Sequence, residues 1–202
     1  MTFRNKEAEL LNLIQTRGLI RTSEAEDEGF ARIHLSRLAE KGKIIRVSRG
    51  VYEPAEPQHV SEHHSLAEVA CAIPGAVVCL LSALVYHGIG TQMPDRVWIA
   101  IAHGSRHPKI SHPPIRVVKL SPHYLESGHA THHVDGVEVR ITTPARTVVD
   151  CFRFRNEVGL DVAIEALRDG LQQKLFTPNE IAEEAKTRRI WSVLRPYLEA
   201  TL

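Results

Sequence analysis

The chain has 202 residues, of which 43% are hydrophobic and 24% charged, a balance that excludes disordered, collagen-like and disulfide-scaffold proteins. Its 25 basic and 24 acidic residues give a formal net charge of +1, which by itself does not indicate a nucleic-acid or membrane partner. The charge is uneven, however, because residues 30–52 hold six basic side chains and one acidic side chain. Such a cluster can follow a phosphate backbone, or it can be the solvated face of a helix.

Two further features of the composition favour a cytoplasmic protein. The first residues lack the cleavage pattern of a signal peptide, and no apolar run reaches the ~18 residues of a membrane-spanning helix. Cys71, Cys79 and Cys151 lie in apolar stretches without Cys-x-x-Cys spacing. We therefore expect reduced thiols in a hydrophobic core rather than disulfides or a zinc site.

The N-terminal part predicts two helices. Residues 5–16 place apolar side chains at helical spacing, and Gly18 follows them. Thr22 and Ser23 then offer N-cap oxygens to a short acidic helix, whose carboxylates lie where the helix dipole favours them. Gly29 is expected to end this second helix.

A third helix is predicted over residues 31–41, with Leu35 and Leu38 facing inward and Gly42 at its end. Two short helices joined by a tight turn that contains glycine are typical of a helix-turn-helix motif. Ala25 fits the small residue that the motif needs in its first helix. Glu24 and Glu28 depart from the pattern, because each occupies a position where an apolar residue normally packs.

A β-hairpin is predicted directly after this helix, because β-branched residues flank a turn that ends in Gly50. A hairpin in this position is the wing of a winged helix-turn-helix domain. The helix fits the major groove of DNA, where arginine bonds guanine at two points, and wing cations hold phosphates. Base-edge contacts are expected from Arg32, Ser36 and Arg37. Backbone and wing contacts are expected from Thr22, Ser23, Lys41, Lys43, Arg46, Ser48 and Arg49. The alternative is a winged helix that serves protein contacts and whose arginines are merely solvated.

Residues 18–54, above all the run from Leu38 to Tyr52, resemble the N-terminal winged helix of AbiEi-type antitoxins. The segments 74–78, 82–88 and 142–150 resemble the C-terminal domain of the same regulators. The resemblance implies a DNA-binding repressor of its own two-gene operon, from a type IV toxin–antitoxin locus of abortive infection and phage defence. It also implies an antitoxin that counteracts a nucleotidyltransferase-like toxin.

The polar, proline-bearing stretch after Tyr52 is the predicted linker. We expect a winged helix-turn-helix domain over residues 1–54, a linker over 55–64 and a C-terminal domain over 65–202. That second domain is predicted as α+β, with a small antiparallel or mixed sheet and a helical tail. Its predicted helices cover 65–73, 80–87, 160–172 and 190–198, with further helices opened by Thr143-Pro144 and by a capping box at 177–180. Its predicted strands cover 97–102 and 115–120 and flank the turn Asp135-Gly136.

Arg146 and Asp150 lie one turn apart on the helix that Thr143-Pro144 opens. Pairs of opposite charge at this spacing are neighbours on a helix surface. We interpret the two as an ordinary surface ion pair rather than as a functional dyad.

Eleven of the twelve histidines lie between His59 and His133, which raises the question of a metal site. In a strand, His129 and His133 share a face and His132 lies on the other, so the first two are weak metal candidates. No Cys-x-x-Cys or His-Glu-x-x-His motif supports them, and solvated or capping histidines are favoured. The basic loop at 103–109 either touches phosphate or is a plain surface loop.

The favoured function is a non-enzymatic transcriptional repressor and antitoxin that needs no cofactor. Its partners are double-stranded DNA of its own promoter and the toxin, with no membrane partner. A single wing reads a short half-site, so the operator should contain paired repeats. The alternative is a solitary winged-helix regulator whose C-terminal domain senses a ligand or partner. A histidine-rich metallohydrolase or nuclease is a third, less favoured function.

Overall fold

The structure is a computed structural model that describes residues 3–56 and 61–202, so residues 57–60 of the linker region lie outside the described residues. Its N-terminal part contains α1 (Phe3–Arg17), β1 (Ile20–Arg21), α2 (Thr22–Asp27), α3 (Arg32–Glu40), β2 (Ile44–Ser48) and β3 (Val51–Pro54). The three strands form an antiparallel sheet in the order β1-β3-β2. The predicted helices and wing are confirmed, and β1 is an addition that the sequence did not predict.

The C-terminal part is α+β, as predicted. Its elements are α4 (His64–Ala72), β4 (Val77–Val78), α5 (Leu80–Tyr86), β5 (Val97–Ala102), β6 (Ile115–Leu120), α6 (Pro122–Leu125), β7 (His129–Val134), β8 (Val137–Thr142), α7 (Pro144–Arg153), α8 (Arg155–Val158), α9 (Leu160–Gln172), α10 (Pro178–Thr187) and α11 (Trp191–Thr201). The sheet order is β6-β5-β4-β8-β7, and it is mixed because β4 runs antiparallel to β5 and parallel to β8. Within the described ranges, no helix is long and apolar enough to cross a membrane.

The described chain divides into two compact units. The first contains the residues up to Ala76 together with His107–Ile115 and Thr131–Val139. The second contains Val77–Arg106, Arg116–Ala130 and Arg140–Leu202. The domain boundaries expected after residues 54 and 64 stay predictions.

The first unit has a core that joins its helices to its small sheet. The buried side chains of this core are Leu10, Ile14, Ile20, Ala25, Leu35, Leu38 and Ile44. Leu10 and Ile14 lie one turn apart on α1, and Leu35 and Leu38 share one face of α3. Each fully buried leucine or isoleucine contributes about 1.5–3 kcal/mol. The core therefore holds α3 with one face packed and the other toward solvent.

Helix α2 begins earlier than its predicted N-cap residues. Arg21 is the N-cap, its N–H donates to Oε2 of Glu24 at 2.7 Å, and Thr22 and Ser23 lie in the first turn. The reason is tertiary: β1 runs up to Arg21, and the N–H of Thr22 donates to the carbonyl of Gly50 at 2.8 Å. The carboxylate of Glu24 therefore serves the helix terminus, which explains its departure from the apolar pattern.

Glu28, the other departure, lies on the surface. Its carboxylate is 47% exposed and pairs with the guanidinium of Arg17 at 2.5 Å. The apolar position expected of the motif is thus replaced by an exposed ion pair with α1.

The prediction of a surface ion pair between Arg146 and Asp150 was wrong. Nε of Arg146 lies 3.2 Å from Oδ2 of Asp150, and the two side chains are 0% and 2% exposed. The hydroxyl of Tyr124 donates to Oδ1 of Asp150 at 2.5 Å. Spacing along the helix predicts the pairing but not the burial, which arises because α5, α9 and α10 all pack on α7.

The three cysteines are buried free thiols, as predicted. Burial raises the pKa of Cys71 to about 11 and also raises the pKa of Cys79 and Cys151. Because the thiolate is the reactive form, these residues are inert members of the core.

Candidate nucleic-acid interface

Helix α3 presents a polar face opposite to its packed face. Leu35 and Leu38 are buried. The exposed side chains of the helix include Arg32, Ile33, Ser36 and Arg37. Gly29 supplies the positive φ of 82° at which the chain turns from α2 into α3. The three side chains predicted to contact base edges are therefore all accessible from solvent.

Arg32 is engaged by a carboxylate of the preceding helix. Its Nε lies 2.6 Å from Oε1 of Glu26, and its Nη2 donates to Oε2 at 3.2 Å, which makes a two-point contact. The hydrogen bond raises the pKa of Arg32 and lowers the pKa of Glu26. The same guanidinium fork that would bond guanine thus bonds a glutamate in the free protein.

Glu7, on α1, holds the other end of the same helix. Its carboxylate is 12% exposed, lies 3.8 Å from Nη1 of Arg37 and accepts a hydrogen bond from Nζ of Lys41. The contact with Lys41 is the main reason that the pKa of Glu7 lies below its ordinary value. Sequence reasoning missed this contact, because 34 residues separate Glu7 from Lys41.

The basic residues of the wing, unlike those of α3, are not held by carboxylates of the described residues. Strands β2 and β3 pair with an irregularity between Arg46 and Ser48, and Gly50 takes a positive φ of 76° in the turn. Nε of Arg46 donates to the carbonyl of Ser48 at 3.2 Å. Lys43 and Arg49 are exposed, and neither they nor Arg46 form an ion pair with a carboxylate of the described residues.

The two predicted backbone contacts on α2 differ in accessibility. The hydroxyl of Thr22 donates to the carbonyl of Gly50 at 3.2 Å, and this side chain is half-buried. Ser23 is exposed. The hydrogen bond from Thr22 fixes α2 to the turn of the wing, so α2 and the wing form one surface.

The sequence segment that forms this surface matches a known protein family. Residues 8–55 match the family model described as a transcriptional regulator, AbiEi antitoxin. This segment of the chain thus has an AbiEi-type sequence. The predicted resemblance is therefore confirmed for this part of the chain, and the match contains α2, α3 and the whole wing.

Beyond the AbiEi-type domain, the comparison concerns the fold. The chain is similar to the crystal structure of the Rv2827c protein from Mycobacterium tuberculosis, with a TM-score of 0.62 and 12% identity. The similarity covers 98% of this chain and 77% of that protein. No curated protein sequence matches the chain significantly.

The histidines predicted as weak metal candidates lie in different environments. Both ring nitrogens of His129 are buried and have no hydrogen-bond partner among the residues that the structure describes, and burial lowers the pKa of this residue. His133 is 73% exposed, with Nε2 lying 3.9 Å from Oε1 of Glu138. The expectation of solvated or capping histidines is therefore wrong for His129.

A different group brings three candidate ligand atoms together. Among the described residues, Glu53, His64 and Glu68 each place one potential metal-ligand atom within 4.8 Å of the other two. It lies in the first unit, where Glu53 belongs to β3 of the wing and His64 and Glu68 belong to α4. The sequence signal that could have revealed it is the spacing of His64 and Glu68, which places them on one face of α4.

Proposed function

We propose that the protein is a DNA-binding transcriptional repressor of its own operon and an antitoxin against a nucleotidyltransferase-like toxin. The observation that carries the proposal is the exposed cationic surface of α3 and the wing in a domain of AbiEi type. This surface has the two parts that DNA recognition needs: a helix that fits the major groove and a hairpin with cations for the phosphates beside it.

The helix supplies sequence recognition in this proposal. Arg37 and Ser36 face base edges, and Arg32 joins them when its guanidinium exchanges Glu26 for guanine. Ile33 is 49% exposed beside them, and an apolar side chain at this place fits the methyl group of thymine. The operator half-site should therefore combine guanine with thymine.

The wing supplies affinity. Lys43, Arg46 and Arg49 carry positive charge that no carboxylate of the described residues offsets. Contacts of this kind bind phosphates and release counterions, so they weaken as salt rises. Wing and helix should therefore respond differently to salt and to base sequence.

Fluorescence anisotropy on the protein's own promoter, over a series of salt concentrations, tests this proposal. Arg49→Ala should weaken binding to all sequences and lower the salt slope by about 1. Arg37→Ala should cost ~1–3 kcal/mol on the operator and much less on scrambled DNA. Arg195→Ala is the matched control, because this arginine is 58% exposed and pairs with Glu199 on α11. Undiminished binding by the double variant of Arg37 and Arg49 would refute the assignment.

The antitoxin function is supported by the description of the matching family. Growth rescue during co-expression with a nucleotidyltransferase of the adjacent gene is the appropriate measurement, since a type IV antitoxin can act without a stable complex. The double variant of Arg37 and Arg49 should still rescue growth if neutralisation depends on the second unit. Failure of the wild-type chain to rescue growth would contradict the antitoxin function.

A cleft in the second unit favours the solitary, ligand-sensing regulator as a second candidate. The cleft has a volume of about 570 Å³ and is lined by Ser121, His123, Tyr124, Arg153, Thr187, Arg188, Arg189 and Ile190. Arg153 and Arg189 are exposed there, so the cleft suits a small anion. An adjacent reading frame with Gly-Ser and Asp-x-Asp motifs of a nucleotidyltransferase would decide for the antitoxin. Operator affinity that changes with nucleotides or phosphate would decide for the sensor.

A further inference from the structure

His64, the first residue of α4, lies between two carboxylates of the first unit. Its Nδ1 is 2.8 Å from Oδ2 of Asp135, and its Nε2 is 2.9 Å from Oε2 of Glu53. Glu68 follows one turn later on α4, and its carboxylate lies within 4.8 Å of the ligand atoms of His64 and Glu53. Strand β3, helix α4 and the β7–β8 turn thus converge on one imidazole.

Glu68 points to a missing partner in this cluster. The residue is 7% exposed, yet its carboxylate forms no hydrogen bond or ion pair with any described residue. A buried carboxylate is costly unless it is paired, hydrogen-bonded or bound to a metal ion.

The charges around the cluster indicate what that partner is. The carboxylates of Glu53, Glu68 and Asp135 surround His64. Glu68 also interacts electrostatically with His112. No lysine or arginine of the described residues forms an ion pair with these carboxylates. A cation with two charges would offset the excess and pair with Glu68.

We propose that Glu53, His64 and Glu68 bind a divalent transition-metal ion, with Asp135 as the residue that positions His64. One imidazole nitrogen and two carboxylates form a donor set that suits zinc or manganese better than calcium or magnesium. A metal-binding histidine usually donates its other ring N–H to a carboxylate, and Asp135 stands in that place at Nδ1. Binding directs Nε2 of His64 to the ion instead of to Glu53.

The ion would connect the wing to the helix that follows it. Glu53 lies in β3, the return strand of the wing, whereas His64 and Glu68 lie in α4. A metal ion that binds only the folded chain stabilises it in proportion to the concentration of free metal. The melting temperature of the wild-type chain should therefore rise with added zinc.

Calorimetric titration of the full chain with Zn²⁺, and the visible absorption of bound Co²⁺, test the site. The wild-type chain should bind one ion. Glu68→Gln and His64→Ala should weaken binding at least tenfold, because each removes a ligand. Asp135→Asn removes no ligand but should weaken binding about 10–100-fold and shift the Co²⁺ spectrum, which loss of a purely structural contact would not do.

Two matched controls accompany these variants. Glu62→Gln removes a carboxylate that is 87% exposed, and His133→Ala removes a histidine that is 73% exposed. Both should bind zinc as the wild-type chain does. If Glu68→Gln fails to fold, as judged by circular dichroism, Glu53→Gln replaces it. Absence of zinc binding by the wild-type chain, or undiminished binding by the ligand variants that fold, would overturn the proposal.

Discussion

The two units each contain an arginine–carboxylate pair, and the difference between the pairs lies in burial. Arg32 and Glu26, in the first unit, are 75% and 40% exposed. Arg146 and Asp150, in the second unit, are 0% and 2% exposed. Water screens the exposed pair, so it contributes little to stability and its carboxylate can be exchanged for another acceptor. The buried pair cannot exchange, because either partner alone would be an uncompensated buried charge. The same chemistry thus serves structure in the second unit, whereas under the proposed function it serves recognition in the first.

The largest effect should follow from breaking the buried pair. Arg146→Ala leaves Asp150 buried without its cation and should lower the free energy of unfolding by ~3–5 kcal/mol. Urea denaturation monitored by circular dichroism measures this value. Arg195→Ala is the control, because Arg195 and Glu199 have the same spacing but are 58% and 60% exposed. If both substitutions cost the same, burial does not distinguish the two kinds of pair.

A smaller effect, on binding rather than stability, should follow from opening the exposed pair. Glu26→Gln releases the guanidinium of Arg32 and should raise affinity for DNA severalfold while stability stays nearly unchanged. Fluorescence anisotropy and urea denaturation measure the two quantities.

Glu28→Gln is the control for this second prediction. Glu28 is 47% exposed and pairs with Arg17, so the substitution changes net charge by the same amount without releasing Arg32. An equal rise in affinity for both variants would show that bulk charge, and not the release of Arg32, is responsible.

The smallest expected effect is on the pH dependence of stability, through the buried imidazole of His129. Burial holds the pKa of His129 below its ordinary value. The positive charges of Arg140 and Arg146 lower the pKa further, and the negative charge of Glu126 partly opposes them. The unfolded chain takes up a proton below the ordinary pKa of ~6.5, whereas the folded chain does so only at lower pH. The free energy of unfolding should therefore fall as pH decreases from 7.5 to about 5. His129→Leu should flatten this decrease.

Urea denaturation at several pH values measures this third effect. His133→Leu removes an exposed histidine and should keep the wild-type pH dependence. A steeper decrease in the His129→Leu variant, or an equal flattening in both variants, would contradict the assignment to the buried imidazole.

Much of the fold could be predicted because its signals are local. Apolar spacing in α1 and α3, the glycine at position 29 and the turn of the wing each specify a backbone conformation within a few residues. Strand β1 could not be predicted, because Ile20 and Arg21 become a strand only by pairing with Tyr52 and Val51. The burial of Arg146 likewise depends on three helices that pack around α7.

The candidate interface shows the same division. Which residues of α3 face solvent follows from its period, and Arg32, Ser36 and Arg37 are indeed exposed. That Glu7 engages Lys41, however, depends on how α1 packs against α3, which no local pattern reveals. The cluster around His64 was missed for the same reason, since Asp135 is 71 residues away in the chain.

The contact of Arg21 with α4 has a practical consequence for the design of fragments that test the proposed DNA binding. Its Nε donates to the carbonyl of Cys71 at 2.9 Å and its Nη2 to the carbonyl of Ala70 at 2.7 Å. These carbonyls belong to the last turn of a helix that follows the wing, so a fragment that stops at Pro54 lacks both of these acceptors and leaves Glu24, at 4.0 Å, as the carboxylate near the guanidinium. A fragment that extends to Ala76 keeps both acceptors but still lacks the segments His107–Ile115 and Thr131–Val139 of the first unit.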